Sequence, residues 1–318
     1  MHFRNLGTSG LRVSAVGLGG NNFGRAGTPT ITEEGTDAVV GAALDAGVNL
    51  IDTADVYGAE YGASESLLGR ALAGRRDQVV IATKFGHAEI PSPLPAWGAK
   101  GSRRYIRLAI DGSLRRLRTD WIDLYQLHTP DPATPIEETI EALDELVVEG
   151  KIRYFGHSNL PAWRIAEAHL TASLTNRRHF VSAQDEYSLI ARGVERDVLP
   201  AVERFGLGFL PYFPFANGLF TGKFGRTELP ADTRIARQRP YIHEQAPWDA
   251  IEALGALAAE RGVGLLEVTV AWFLARPSVS SVIAGATRPE QVRQNAAAAD
   301  IQPLTPEELA RIDALFPA

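Results

Sequence analysis

Eight short apolar runs recur along the chain, and longer amphipathic segments separate them. The runs are AVGLG (15–19), VNLI (48–51), VVIA (79–82), WIDLYQL (121–127), IRYFG (152–156), FVSAQ (180–184), LGFLPY (207–212) and SVIAG (281–285). Most are β-branched or aromatic and apolar at successive positions, as strands buried on both faces of a parallel sheet must be. The intervening segments repeat apolar residues near the helical period. Ile106, Ile110, Leu114 and Leu117 do so in one, and Ile136, Ile140, Leu143 and Val147 in another. TPIE at 134–137 reads as a capping box with Pro135 at the first helical position, and TPEE at 305–308 repeats it near the C-terminus. Alternation of strand and helix eight times over predicts a (β/α)8 barrel. The length of 318 residues suits one such domain spanning 1–318. No G-x-G-x-x-G follows the first run, which counts against a doubly wound nucleotide-binding sheet.

The opening FRNLGTSGLRV predicts a β-hairpin that caps the barrel's lower end. Two connections are long, 86–101 and 213–247. Long loops in a compact fold are often functional. Net charge is −6 with no extended basic run, so nucleic acid is not an expected partner. No apolar stretch reaches the ~20 residues a membrane helix needs, and the expectation is a cytoplasmic protein without membrane attachment. Oligomeric state stays open. The absence of cysteine removes disulfides, thiol catalysis and thiolate metal sites together.

Polar residues gather where the runs end. Asp52 follows the second run, Lys84 the third and His128 the fourth. Ser158 and Asn159 follow the fifth, Gln184 and Tyr212 close the sixth and seventh, and GATRPEQ (285–291) follows the eighth. Taken singly, each has a structural reading: Asp52 as a helix cap, Lys84 as its ion-pair partner, His128 as a core hydrogen bonder, Tyr57 as packing. Together they sit at the C-terminal ends of the strands, the face on which barrel active sites lie. A carboxylate that holds a lysine, and a lysine that stabilises a phenolate, make Asp52, Lys84 and Tyr57 a tuned proton donor. His128 can bond the same substrate oxygen. Such a set protonates an oxyanion but supplies no electrons, so reduction needs a hydride donor. No histidine stands at metal-ligand spacing from His128, and Lys84 would repel a cation, so no metal is expected. A sugar-phosphate isomerase is the rival reading, with GATRPEQ as the phosphate loop. Asp55 reads as a solvated loop acid.

At these residues the sequence resembles the aldo-keto reductase superfamily, most closely its bacterial members related to potassium-channel β subunits. The resemblance covers nearly the whole chain and rests on NLIDTADVYG, IATKFG, SLRRLRTDWIDLYQLHTPD, EGKIRYFGHSN, DEYSL and GLFTGK. It implies an NADPH-dependent oxidoreductase that reduces aldehydes or ketones, or else a cofactor-sensing regulatory subunit with little turnover. It implies the catalytic set Asp52, Tyr57, Lys84 and His128, with Tyr57 as general acid. Ser158, Asn159 and Gln184 are implied as contacts to the nicotinamide amide and Tyr212 as its stacking ring. Gly285, Thr287, Arg288, Gln291 and Asn295 are implied as the clamp on the adenosine phosphate. Phe213 and Gln291 depart from the residues that relatives often carry, serine and arginine respectively. NADPH is nonetheless expected in preference to NADH, with Arg288 supplying the charge. Phe23, Trp97 and Phe213 are expected to line the pocket, a wall suited to aromatic or medium aliphatic carbonyl compounds.

Overall fold

A computed structural model describes residues 1–95, 97, 99–231 and 233–318. The first two strands, β1 (Phe3–Asn5) and β2 (Arg12–Ser14), pair antiparallel as the predicted hairpin. Eight parallel strands follow: β3 (Val16–Gly19), β4 (Leu50–Asp52), β5 (Val80–Phe85), β6 (Ile122–Leu127), β7 (Ile152–Ser158), β8 (Ser182–Gln184), β9 (Gly208–Phe209) and β10 (Val282–Gly285). Their order is β10-β3-β4-β5-β6-β7-β8-β9. The ring closes where the Ile283 N–H donates to the Pro211 carbonyl at 3.1 Å and Phe209 bridges Val279.

The helices are α1 (Glu33–Asp45), α2 (Ala63–Ala71), α3 (Arg103–Leu117), α4 (Ile136–Val148), α5 (Ala162–Leu174), α6 (Val198–Phe205), α7 (Arg234–Gln238), α8 (Pro240–Glu244), α9 (Trp248–Glu260), α10 (Leu265–Leu274), α11 (Pro289–Ala297) and α12 (Pro306–Leu315). The chain is a (β/α)8 barrel with an N-terminal hairpin, as the alternating pattern predicts. Connection 213–247 is less irregular than its composition suggests, because it holds a 3-10 segment (Ala216–Thr221) together with α7 and α8.

Strand alternation divides the barrel interior by height. Leu50, Val80, Ala82, Leu124, Leu210 and Ile283 form an apolar cluster with Leu6 and Val13 of the hairpin region, and Leu11 packs against it. One or two steps further along the same strands stand Asp52, Lys84 and Gln126. The hairpin therefore plugs the apolar end, and the polar end faces the loops. At the hairpin turn, Gly7 has φ +58°, and a Cβ there would lie 2.4 Å from the Gly206 carbonyl oxygen. No side chain fits this approach.

Two capping signals have different outcomes. The Thr305–Glu308 box forms: the Thr305 N–H donates to Glu308 at 2.7 Å and the Glu308 N–H to Thr305 Oγ1 at 3.2 Å. The Thr134–Glu137 box does not, since Pro135 keeps an extended ψ of 139° and α4 begins after it. The Thr134 hydroxyl is committed to Asp131 Oδ2 at 2.7 Å instead.

Arg4 fastens the plug. Its guanidinium donates to the carbonyls of Leu274 (2.6 Å), Val279 (2.8 Å) and Arg276 (3.4 Å), just beyond α10. These carbonyls include orphan acceptors of the helix end. Arg4→Ala is expected to lower unfolding stability by about 1–3 kcal/mol, measured by chemical denaturation, and to leave the far-ultraviolet spectrum unchanged.

Candidate active site

β5 and β7 run further than their apolar runs, through Lys84 and Ser158, because these residues point into the barrel and need no break in the ladder. Lys84 is fully buried and Asp52 nearly so. Lys84 Nζ donates to Asp52 Oδ1 (2.8 Å), Asp52 Oδ2 (2.6 Å) and the Thr53 carbonyl (2.8 Å). Asp52 Oδ1 also accepts from Gln184 Nε2 at 2.9 Å and Gln126 Nε2 at 3.5 Å. Burial pulls the Lys84 ammonium down, Asp52 and then Tyr57 push it up, and the net direction is upward. The lysine is therefore charged at neutral pH.

Tyr57 lies beside this pair, with its hydroxyl 3.4 Å from Lys84 Nζ and its ring 4.9 Å from the same atom. Sequence reasoning expects the ammonium to lower the phenol's pKa. The structure corrects the balance: burial pushes it up, Lys84 pulls against that, and the net direction is upward. His128 meets Tyr57 edge to face at 5.7 Å. Burial, then Lys84 and His87, hold its imidazole well below the ordinary range, so it is neutral. Its Nδ1 has no partner among the described residues. The four residues converge at one end of the barrel, with Lys84 touching both Asp52 and Tyr57.

On the next strands, Ser158 Oγ donates to the Gln184 carbonyl at 2.7 Å, and Asn159 Nδ2 to the His128 carbonyl at 3.0 Å. Asn159 has a left-handed φ of 62°, which asparagine tolerates. The Tyr212 hydroxyl donates to Asn159 Oδ1 at 2.9 Å, and the Tyr212 ring meets Phe213 edge-on at 5.3 Å. Asp185, one step past Gln184, is buried with Oδ2 unpartnered among the described residues, and burial pushes its carboxyl up to about 7.

At the eighth strand Gly285 is exposed, and a Cβ there would meet Asn22 Nδ2 at 3.2 Å. Gln291 turns its side-chain oxygen back on the start of α11. That oxygen accepts from the Thr287 N–H (2.8 Å), Thr287 Oγ1 (3.2 Å) and the Arg288 N–H (3.2 Å). Arg288 is the N-cap residue and is exposed, whereas Asn295 is buried. The set of amides, hydroxyls and a helix N-terminus at one end of the barrel fits a dinucleotide carrying a carboxamide and phosphates.

The three expected wall residues diverge. Phe23 is fully buried in the main core. Phe213 is half-buried against Tyr212. Trp97 is 81% exposed, with the Arg104 guanidinium 4.5 Å over its ring; its neighbours at 96 and 98 lie outside the described residues.

Sequence reasoning missed three residues. Gln126 stands two places before His128 on β6, so period-two alternation could have found it. His87 meets His128 edge to face at 4.6 Å, and no motif points to it. Asp55 is fully buried, and the expectation of a solvated acid is wrong: the loop after β4 folds the side chain inward, where Tyr61 donates to it. Among the described residues no group of three or more His, Cys, Asp or Glu could hold a metal ion, and no helix is long and apolar enough to cross a membrane.

The Asp52–Lys84 pair couples chemistry to stability. Asp52→Ala leaves a buried ammonium unpaired, so a loss of about 3–5 kcal/mol is expected. Adding Lys84→Met to it should recover part of that loss, as measured by chemical denaturation of both variants. Because the Lys84 pKa is raised, the pair's contribution is full below the ordinary lysine value of 10.5 and is lost as pH rises through the folded value.

Comparison with known proteins agrees with this geometry. The family model described as "Aldo/keto reductase family" matches residues 15–316. A rice protein described as a probable voltage-gated potassium channel subunit beta is 36% identical, over 99% of this chain and 96% of its own length. An uncharacterized oxidoreductase, YrpG, of Bacillus subtilis is 36% identical over 100% and 96%. An Escherichia coli L-glyceraldehyde 3-phosphate reductase is 32% identical over 98% and 92%. With the family model spanning nearly all of the barrel, the chain belongs to the aldo/keto reductase family.

Proposed function

We propose that the protein is an NADPH-dependent oxidoreductase that reduces aldehydes or ketones to alcohols, with residues 1–318 acting as one catalytic domain. The observation that carries this reading is the buried Lys84 ammonium, held by Asp52 and lying 3.4 Å from the Tyr57 hydroxyl, with a neutral imidazole beside it. The hydride for the carbonyl carbon would come from a nicotinamide when one is bound. Tyr57 gives its proton to the carbonyl oxygen as charge develops there, and Lys84 stabilises the phenolate left behind. Burial makes the free phenol a weak acid, so the ammonium is what allows the proton to move. Neutral His128 hydrogen-bonds the same oxygen and orients the carbonyl.

Ser158, Asn159 and Gln184 would hold the nicotinamide carboxamide, and Tyr212 would offer its ring to the nicotinamide. Gly285, Thr287, Arg288, Gln291 and Asn295 hold the adenosine end. Gln291 Oε1 already caps α11, so its amide group is what remains for the cofactor. Phe213, beside Tyr212, and Trp97 on its loop form the apolar wall, which favours aromatic or medium aliphatic carbonyl compounds. Two of the relatives set the rival classes. The rice protein suggests a cofactor-binding regulatory subunit, and the E. coli enzyme a small phosphorylated aldehyde as substrate. NADPH binding followed by fluorescence, with turnover measured on a panel that includes both substrate classes, separates these readings. Tight binding without turnover on any member favours the regulatory subunit.

Tyr57→Phe is expected to reduce turnover by about 10²–10⁴-fold and to leave NADPH affinity nearly unchanged. Undiminished turnover on every accepted carbonyl would remove Tyr57 from the general-acid role. Arg288→Ala is expected to weaken NADPH binding roughly ten- to a hundredfold, the worth of one charge-assisted hydrogen bond to the 2′-phosphate. NADH binding should hardly change. Equal effects on the two dissociation constants would take Arg288 out of the phosphate site.

A further inference from the structure

The turn that carries Tyr57, closed by its N–H donating to the Ala54 carbonyl at 3.2 Å, also carries Asp55, the centre of a second buried polar cluster that the reduction chemistry leaves unused. Asp55 is fully buried at its centre. Its Oδ2 accepts from the Tyr61 hydroxyl at 2.6 Å, and its Oδ1 has no partner among the described residues. Its backbone N–H donates to the Lys84 carbonyl at 3.1 Å, so the carboxyl is anchored beside the strand that carries the lysine. The cations nearby are engaged elsewhere. Arg116 of α3 donates to Glu65 of α2 at 2.7 Å and lies 5.2 Å from the Tyr61 ring centre. Glu65 also accepts from Thr83 at 2.6 Å. Lys100 binds the carbonyls of His87, Ala88 and Ile90. Two more phenols complete the surroundings: Tyr105, which donates to Ser92 at 3.0 Å, and Tyr125 of β6, whose hydroxyl has no partner among the described residues. Asp55 is thus a carboxyl among phenols, with one donor and no directly bonded cation among the described residues.

A fully buried carboxylate without a cation is costly. A structural acid at this position would be expected to use both oxygens, and this one leaves Oδ1 unpaired. We propose that Asp55 is an electrostatic positioning residue for Tyr57: as a neutral acid it leaves the phenol able to donate its proton, and as a carboxylate it weakens that donor. The proposal rests on the reading of Tyr57 as the general acid. Burial and then Glu65 push the Asp55 carboxyl up, against Tyr61, Arg116 and Lys100, to about 7. Burial is the largest upward push on the phenols of Tyr57, Tyr61, Tyr105 and Tyr125, and the Asp55 charge adds to it. The sign follows. Below its pKa Asp55 is uncharged and Tyr57 is the stronger acid. Above it, reduction slows and Tyr57 holds its proton more tightly.

Two measurements test this. In the cofactor-free protein, the ultraviolet difference titration of Tyr57 is the protein minus Tyr57→Phe, taken with Asp55 and again with Asp55→Asn. Asparagine keeps the shape and stays neutral, so the Tyr57 phenol should become roughly three- to tenfold more acidic. An unmoved midpoint overturns the proposal, and this arm needs no turnover, so it decides even if the reductase reading fails. In the pH profile of kcat with NADPH and an accepted carbonyl, the parent protein should show a descending limb centred near pH 7. Asp55→Asn should abolish the limb. Tyr61→Phe removes the donor that stabilises the carboxylate and should move the limb to higher pH. A uniform loss of rate at every pH, with the limb in place, marks a merely structural residue and overturns the proposal. Should Asp55→Asn fail to fold, Tyr61→Phe carries the same decision.

Discussion

A lysine ammonium buried inside a barrel dictates the arrangement around it. Lys84 has no water to solvate it, so the interior must supply a charge and further acceptors. Asp52, one strand away, gives both carboxylate oxygens, and the Thr53 carbonyl gives a third acceptor. The carboxylate then needs its own donors, and Gln184 and Gln126 reach it from two other strands. Four strands are thereby fixed in register at their upper ends by one cation. Tyr57 and His128 sit in the field of that cation, which adds to burial in keeping the imidazole neutral and works against the burial of the phenol. The apolar lower half does the complementary work. Leu50, Val80, Ala82 and Leu124 with the hairpin fill the interior and keep water from entering from below.

The parts legible in the sequence share a cause. Strands buried on both faces leave apolar runs, and an inward-pointing polar residue at the end of such a run stands out, as Asp52, Lys84 and His128 do. Gln126 was equally open to that reasoning but sits inside its run rather than at the end. What was not legible depends on how loops fold back. Asp55 lies in a loop whose composition looks solvated, and only the packing of α2, α3 and β6 around it makes it buried. Gln291 has the same difficulty: its sequence position names a candidate cofactor contact, but its oxygen is taken by the start of α11. Thr134 looked like a cap until Asp131 claimed its hydroxyl.

The seventh connection carries a different kind of constraint. Phe213, Ala216 and Asn217 all have left-handed φ, at 52°, 44° and 61°. Side chains other than glycine disfavour this region, and a bulky one such as Phe213 most of all. The turn is held by short backbone bonds, Ala216 N–H to Phe213 at 2.9 Å and Gly218 N–H to Phe215 at 2.7 Å. The backbone cost is met by the surrounding packing, with Phe215, Leu219 and Phe220 in the core. The segment directly after Tyr212 is consequently preset in shape rather than free to adapt.

The plug at the lower end ties the two ends of the chain together. Arg4 reaches carbonyls about 270 positions later, and Ile283 belongs to the same cluster as Leu6 and Val13. A chain emerging from the ribosome presents the hairpin well before the last parts of its seat, Ile283 and the carbonyls that Arg4 binds. During synthesis Leu50, Val80, Ala82 and Leu124 become available to the hairpin early, but the lower mouth stays open until Leu210 and Ile283 of the last strands arrive. Completion of the ring and sealing of its floor are therefore a single late event, set by the topology and by the entropy of closing so long a loop.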